Sequence, residues 1–339
     1  MSWRAPDSRL GMRAPLFHRS LRRPATSGPL ANGRARKGDG AGRRGYNRGV
    51  NQCFFATDLH GRVDRYDKLF AAIEREIPYA VFLGGDLLPH GFAPLSSGDP
   101  GYGDFIEDFV APGLERLRSR LRERYPYMFV ILGNDDAKTE EPTVIEIAAR
   151  GLWIYAHGRR FDLESVTVYG YACVPPTPFM RKDWERYDVS RYVPPGCVSP
   201  EEGRLLAAPS AASAREIRFT TIQEDLNRLV GDADVRNAVF LFHAPPHDTA
   251  LDRVSLDGKM VDHVPMDLHV GSVAVRRFIE KHQPLLTLHG HIHESARLTG
   301  AWRDRIGRTI MFNAAHDGPE LALARFDLHD PSRAERVLI

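Results

Sequence analysis

Five short polar motifs follow one another along this chain: Asp58-Leu59-His60, Gly84-Gly85-Asp86, Gly133-Asn134-Asp135-Asp136, His243 alone, and Gly290-His291-Ile292-His293. Within them Asp58, His60, Asp86, Asn134, His243, His291 and His293 offer seven oxygen and nitrogen donors. Carboxylates and imidazoles with one amide oxygen suit hard or borderline divalent cations, and one carboxylate can bridge two of them. Two cations held side by side serve above all to activate water against a phosphate ester. Each motif alone is weak. A D-x-H arises by chance, Gly-Gly-Asp is commonly a plain turn, and a lone histidine is more often a core or surface residue than a ligand. Their joint placement carries the reading, because nearly all of them directly follow an apolar run.

Those runs define the elements that must position the motifs. Cys53 to Thr57 reads as a buried strand, followed by apolar positions Val63, Tyr66, Leu69, Phe70 and Ile73 at helical spacing. Ala80 to Leu83 is a second strand, and a Gly/Pro/Ser loop from Pro89 to Gly103 precedes a long amphipathic helix over about 105–124. A third strand, Met128 to Leu132, ends at Gly133. This alternation predicts an α/β fold with a parallel sheet covered by helices. Such sheets bind ligands beyond the carboxyl ends of their strands, where Asp58, Asp86 and Asn134 fall. A short helix over 143–149 and brief strands near 153–156, 160–163 and 166–169 come next. Residues 173–218 read as a Pro-rich irregular insertion, and a helix follows over 221–230. Strands at 238–242 and 285–288, the second preceded by a helix over 272–282, deliver the C-terminal histidines. Two more strands are expected near 309–312 and 321–326.

Composition narrows the class. Residues 1–50 carry 12 Lys or Arg against 2 Asp or Glu, so the remaining 289 residues have a net charge of −8. The N-terminal 48 residues form a basic extension with no apolar periodicity. It reads as disorder, with an organellar transit peptide or a later translation start as alternatives. Residues 49–339 are the folded domain, whose acidic balance argues against nucleic acid as a partner. Three cysteines, Cys53, Cys173 and Cys197, with no C-x-x-C, fit a reducing, cytoplasmic location rather than a disulfide framework. No apolar run approaches the ~20 residues that span a bilayer. The sequence is silent on oligomeric state.

The order D-x-H, G-G-D, G-N-x-D, H, G-H-x-H resembles the calcineurin-like metallophosphoesterase superfamily over about residues 52–327. Thr177-Pro178-Phe179 with Lys182-Asp183-Trp184-Glu185, and the stretch from His243-Ala244-Pro245-Pro246 through Leu251-Asp252 and His269-Val270-Gly271-Ser272 to Glu294-Ser295, are similar to the Icc-related group of predicted phosphoesterases. The resemblance implies a four-layer α/β/β/α sandwich of two mixed sheets. It implies one ion on Asp58, His60, Asp86 and His293, and a second on Asp86, Asn134, His243 and His291. A hydroxide bridging the ions would attack phosphorus, with Asn134 donating toward a phosphoryl oxygen. Asn134, Asp135 and His243 are then the catalytic candidates, and Asn134 and His247 the candidate substrate contacts. The ions are expected to be Mn²⁺, with Fe²⁺, Zn²⁺ or Co²⁺ also admitted by the ligand types.

The chain departs from that family at Asp135, where many members place the histidine that protonates the leaving group. An aspartate near two cations should be ionised and a poor general acid, and a missing acid costs about 10²–10⁴-fold. His247 and His263 are the alternative donors. By analogy with groups lacking the histidine, the expected activity is phosphodiester hydrolysis on a small molecule or nucleotide. The alternatives are a phosphomonoesterase, a weakly active metal-binding scaffold, and a nuclease that uses the basic extension. Asn313-Ala314-Ala315 replaces the usual Asn-Pro-Gly and is read as an altered turn, while His289 and His316 are read as packing or surface residues. The run Asp135, Asp136, Glu140, Glu141 is read as a solvated loop. Arg181, Lys182 and Trp184 fit a substrate lid or a packed loop equally well.

Overall fold

Uninterrupted apolar runs build the centre of this protein, whose computed structural model describes residues 33–34, 52–89, 104–206, 211–261 and 263–339. In chain order the strands are β1 (Gly33–Arg34), β2 (Gln52–Ala56), β3 (Ala80–Gly84), β4 (Tyr127–Ile131), β5 (Ile154–Tyr155), β6 (Arg159–Leu163) and β7 (Val166–Tyr171). They continue with β8 (Ala238–Phe242), β9 (Met260–Val261), β10 (Val264–Pro265), β11 (Leu286–His289), β12 (Arg303–Ile306), β13 (Thr309–Asn313), β14 (Ala322–Asp327) and β15 (Glu335–Leu338). The helices are α1 (Val63–Glu76), α2 (Ala111–Leu121), α3 (Glu141–Ala149), α4 (Ala211–Phe219), α5 (Ile222–Val230), α6 (Val273–His282) and the single turn α7 (Ser295–Thr299).

Two mixed sheets result. One has the order β15-β14-β2-β3-β4-β5, parallel from β2 to β5 and antiparallel at β14 and β15. The other has the order β1-β6-β7-β8-β11-β13-β12, with β7, β8, β11 and β13 parallel to one another. β9 and β10 form a separate ribbon. The two sheets meet through β3 against β8 and β4 against β7, while α1 packs on α2 and α5 on α6. This is the α/β architecture of two mixed sheets with helices that the motif order implies. Strands β3 and β8 are buried at every position, as expected for strands covered on both faces. Helix α1 turns Tyr66, Leu69, Phe70 and Ile73 inward, each large side chain worth about 1.5–3 kcal/mol of burial.

Several elements differ from the sequence reading. The helix expected over 105–124 is a π turn (Ile106–Val110), then α2, then a 3₁₀ turn (Arg122–Arg124). Pro112 cannot donate to the carbonyl four residues back, and the chain widens into a π turn just before it. β12 and β15 were not anticipated; both are short, polar edge strands with little apolar alternation. Helix α4 occupies part of the stretch read as irregular up to residue 218. The expected disorder of residues 1–48 lies outside the described residues, apart from β1, which pairs in parallel with Phe161 and Asp162 of β6. All described residues belong to one compact unit, 32–339, and the unit 1–31 also lies outside them. The loop expected from Pro89 to Gly103 is described only at Pro89. Among the described residues no helix is long and apolar enough to cross a membrane.

Candidate metal centre

The loops that leave β2, β3, β4, β8 and β11 converge at one edge of the paired sheets. Four of the seven candidate ligands sit in left-handed backbone there: Asp58 (φ 56°), His60 (φ 50°), Asp86 (φ 51°) and His291 (φ 70°). Such conformations cost on the order of 1–3 kcal/mol when the surroundings impose them, and Asp and His tolerate them better than most residues. Backbone hydrogen bonds hold them here. Asp58 N donates to Gly85 O (2.9 Å), His60 N to Asp86 O (2.8 Å) and Gly61 N to Leu87 O (2.8 Å), so the loops after β2 and β3 run as a continued ladder. Across the sheets, His291 N donates to Asp58 Oδ1 (3.1 Å), and within the second sheet Gly290 N donates to His243 O (2.9 Å). Two glycines leave the space this crowding needs. A Cβ at Gly133 would strike Asp86 Oδ1 and stand 2.5 Å from Asp86 N, and one at Gly290 would stand 2.5 Å from Asp58 Oδ2.

The side chains collect into two groups that share Asp86. Asp58, His60, Asp86 and His293 each place a ligand atom within 4.8 Å of the others, and Asp86, His243 and His291 do the same. In the first group His60 Nε2 lies 3.1 Å from His293 Nε2, which is 3.0 Å from Asp58 Oδ1. In the second, His243 Nε2 lies 3.1 Å from Asp86 Oδ2 and 3.0 Å from Asn134 Oδ1. Asn134 thus joins the second group through its amide oxygen, and its Nδ2 faces Asp135 Oδ1 at 3.3 Å.

The donor set has the chemistry of a cation site. His243 Nδ1 donates to the Gly84 carbonyl (2.8 Å), which fixes the tautomer and leaves Nε2 as a lone pair on the neutral ring. That lone pair points at two further acceptors, and the facing Nε2 atoms of His60 and His293 repeat the pattern. Without a cation the site must take up protons. Burial alone would lower His243, but the charge and hydrogen bond of Asp86 raise it to about 10. Burial likewise opposes His293, and the hydrogen bond and charge of Asp58 raise it to about 9. Burial would raise Asp58 and Asp86, yet the neighbouring imidazoles hold both carboxyls below the usual range. Burial and the His243 charge push His291 down to about 3, so its ring stays neutral. A divalent ion in each group would replace the borrowed protons with the charge these carboxylates and lone pairs lack.

Four residues support this centre in ways not legible in the sequence: Asp136, Arg65, Tyr66 and Asn313. Asp136, read as part of a solvated run, is 0% exposed. Its carboxylate accepts from Leu87 N (2.9 Å), Leu88 N (2.8 Å) and Gly133 N (2.8 Å), tying the loop after β3 to the loop after β4. That reading is corrected: an acid three residues after a strand-ending Gly can fold back on the turn amides. Arg65 Nη1 donates to the Asp58 carbonyl (2.6 Å) and Tyr66 Oη to the Leu87 carbonyl (3.0 Å), so α1 clamps both ligand loops from below. Asn313 Nδ2 donates to the carbonyls of Leu251 (2.9 Å) and Ile292 (3.3 Å), holding the segment between His291 and His293.

The remaining candidates fall elsewhere. Asp135 stands at the rim, with Oδ2 3.9 Å from His60 Nδ1 and its amide donating to Asp86 Oδ1 (2.7 Å). His247 Nε2 pairs with Asp267 Oδ2 (3.0 Å) and belongs to neither group. His263 is exposed. His289 is buried, stacked on Phe242 and bonded to Ala244 O (2.8 Å), a packing residue as expected. His316 pairs with Glu320 (3.0 Å). Lys182 and Trp184 are interior residues, which favours the packed-loop reading for both, and Arg181 Nη1 donates to the Asp135 carbonyl.

The chain is similar to known proteins in sequence and in fold. A family model described as calcineurin-like phosphoesterase matches residues 53–295. The curated Uncharacterized protein MJ1162 of Methanocaldococcus jannaschii is 35% identical over 96 residues, which is 27% of this chain and 38% of that protein. One crystal structure is similar in fold with a TM-score of 0.50 and 18% identity, covering 85% of this chain and 99% of its own. A dimetal phosphatase from Danio rerio aligns at 12% identity over 81% of this chain and 92% of its own, with a TM-score of 0.43. Since the family model spans well over half of the sequence and contains all seven candidate ligands, the chain belongs to the calcineurin-like phosphoesterase family, hydrolases that act on phosphoric esters.

Proposed function

We propose that the chain is a two-metal phosphodiesterase acting on a small-molecule or nucleotide ester. Asp58, His60, Asp86 and His293 would hold one ion, and Asp86, Asn134, His243 and His291 the other, with Mn²⁺ as the metal. The observation that carries this reading is the sharing of Asp86 between two ligand groups whose lone pairs converge. Bound divalent ions supply Lewis acidity and lower the pKa of water. The protein's own residues do the rest. Asn134 turns its Oδ1 toward His243 and shares one Nδ2 hydrogen with Asp135, and the second Nδ2 hydrogen would donate to a phosphoryl oxygen. Asp136, Arg65 and Tyr66 hold the ligand loops, so the oxygens and nitrogens need little rearrangement. The rim position that would deliver a proton to the leaving oxygen carries a carboxylate, Asp135, rather than an imidazole. Esters with weakly basic leaving groups need no such proton, which weighs against alkyl monoesters; the choice of diesters rests on analogy with family groups that lack this histidine.

Mn²⁺-loaded protein should hydrolyse bis(p-nitrophenyl) phosphate faster than p-nitrophenyl phosphate, and Asp86→Ala should reduce both to background. Equal or better monoester turnover would reverse the diester assignment. Activity that survives Asp86→Ala would remove the two-metal assignment.

A further inference from the structure

Residues 177–185 fold back on themselves beside the candidate metal centre. Thr177 N and Oγ1 donate to the Glu185 carboxylate (2.9 and 2.5 Å), and Lys182 Nζ donates to Glu185 Oε2 (2.7 Å) and to the Thr177 carbonyl (2.8 Å). Phe179 N donates to Thr177 Oγ1 (3.2 Å). The base of this loop is interior, with Lys182, Trp184 and Glu185 all buried. Its tip is the reverse: Phe179 is 60% exposed and Met180 50%.

The loop is also fastened to the segment that carries Asn134. Arg181 Nη1 donates to the Asp135 carbonyl (2.5 Å), Lys138 N donates to Asp183 Oδ2 (3.2 Å), and Lys138 Nζ lies over the Trp184 ring at 3.6 Å. The Asp135 amide reaches Asp86, the carboxylate shared by both ligand groups. One residue, Met180, separates the exposed Phe179 from Arg181, whose guanidinium is anchored at that rim. Exposed apolar side chains scattered singly need no explanation. Here two adjacent ones are presented by a loop that is otherwise locked and is tied through Arg181 to the carbonyl of Asp135.

We propose that Phe179 and Met180 form a specificity wall that receives a planar ring of the substrate, such as the nucleobase of a nucleotide diester. Arg181 is a positioning residue that fixes the wall to Asp135. This rests on the phosphodiesterase reading above and narrows its substrate class. An aromatic ring beside a flat ligand gives a stacking surface that tolerates any base.

Thymidine 5′-phosphate p-nitrophenyl ester and methyl p-nitrophenyl phosphate share a leaving group and differ in carrying a nucleoside or a methyl group, so the base-dependent part of the difference is read from its loss in Phe179→Ala. On metal-loaded protein the KM of the thymidine ester should be lower by about tenfold, the scale of one base–aromatic stack. In Phe179→Ala the ratio of the two KM values should fall to near one, with metal content and unfolding temperature as controls for the fold. Calorimetric binding of thymidine 5′-monophosphate should weaken by about the same factor, a readout that does not depend on turnover. Equal KM values in the unaltered protein, or a preference that survives Phe179→Ala, would overturn the wall. If neither ester is hydrolysed, the phosphodiesterase reading fails. The wall is then judged by the nucleotide alone: binding sensitive to Phe179→Ala upholds it, and no binding overturns it.

Discussion

Asp86 and Glu185 are both carboxylates shut away from water, each 1% exposed, and their surroundings differ in kind. Glu185 is ringed by donors: Lys182 Nζ, Thr177 N and Thr177 Oγ1. Asp86 accepts from the Asp135 amide, but its other oxygen faces His243 Nε2, which also faces Asn134 Oδ1. The loop at 177–185 has neutralised its own charge and needs nothing further. The centre carries an excess of lone pairs that only protons or cations can answer. Buried charge is therefore a sign of a ligand site only where the chain has not supplied the counter-charge itself.

The sharpest way to break this contrast is to remove the counter-charge that the loop does have. Lys182→Met would leave Glu185 buried and unpaired, which typically costs roughly 3–5 kcal/mol. Chemical denaturation should show that loss, while the metal content of the folded fraction stays unchanged. Adding Glu185→Leu should recover most of it, because an apolar pair of similar volume replaces the ion pair.

A smaller effect is expected where the centre depends on a group outside its ligand set. Asp136→Asn keeps the size of the side chain but turns part of it from acceptor to donor against three amides. Supports that orient ligands commonly contribute about 10–100-fold to metal affinity. Titration with Mn²⁺ should show weakening in that range, and an unchanged affinity would make Asp136 a fold residue only.

The smallest effect separates a buried histidine that ligates from one that packs. Burial lowers His289 to about 3, and its neutral ring is satisfied by Ala244 O and Thr287 Oγ1. The unfolded chain takes up this proton near the ordinary histidine value of about 6.5. Its contribution is thus full above that pH and is lost as pH falls toward 3. At pH 5 the loss is on the order of 2 kcal/mol. In the metal-free chain, the stability advantage of the unaltered protein over His289→Phe should shrink by about that amount between pH 7 and pH 5.

Much of this was legible in the chain because it lies in continuous stretches. The strands ending at Asp58, Asp86, Asn134 and His243 announce themselves as apolar runs closed by Gly or polar residues, and the ligands follow at once. What stayed hidden depends on partners far along the sequence. Asp136 looks like the neighbouring Asp135 and is distinguished only by amides at Leu87 and Leu88, nearly fifty residues away. Lys182 and Trp184 fit a lid or a packed loop equally well in the sequence, and it is Lys138, over forty residues away, lying on the Trp184 ring that marks the packed loop. The left-handed backbone at four ligands is only weakly signalled by residue type: Asp and His tolerate it better than most residues but do not require it.

The central claim is that the convergence at Asp86 holds two cations. Metal analysis of Mn²⁺-loaded, buffer-exchanged protein beside Asp86→Ala tests it most directly. The account predicts about two ions per chain in the unaltered protein, and at most one, more readily lost, in the variant. One ion or none in the unaltered protein, or two retained without Asp86, would contradict it.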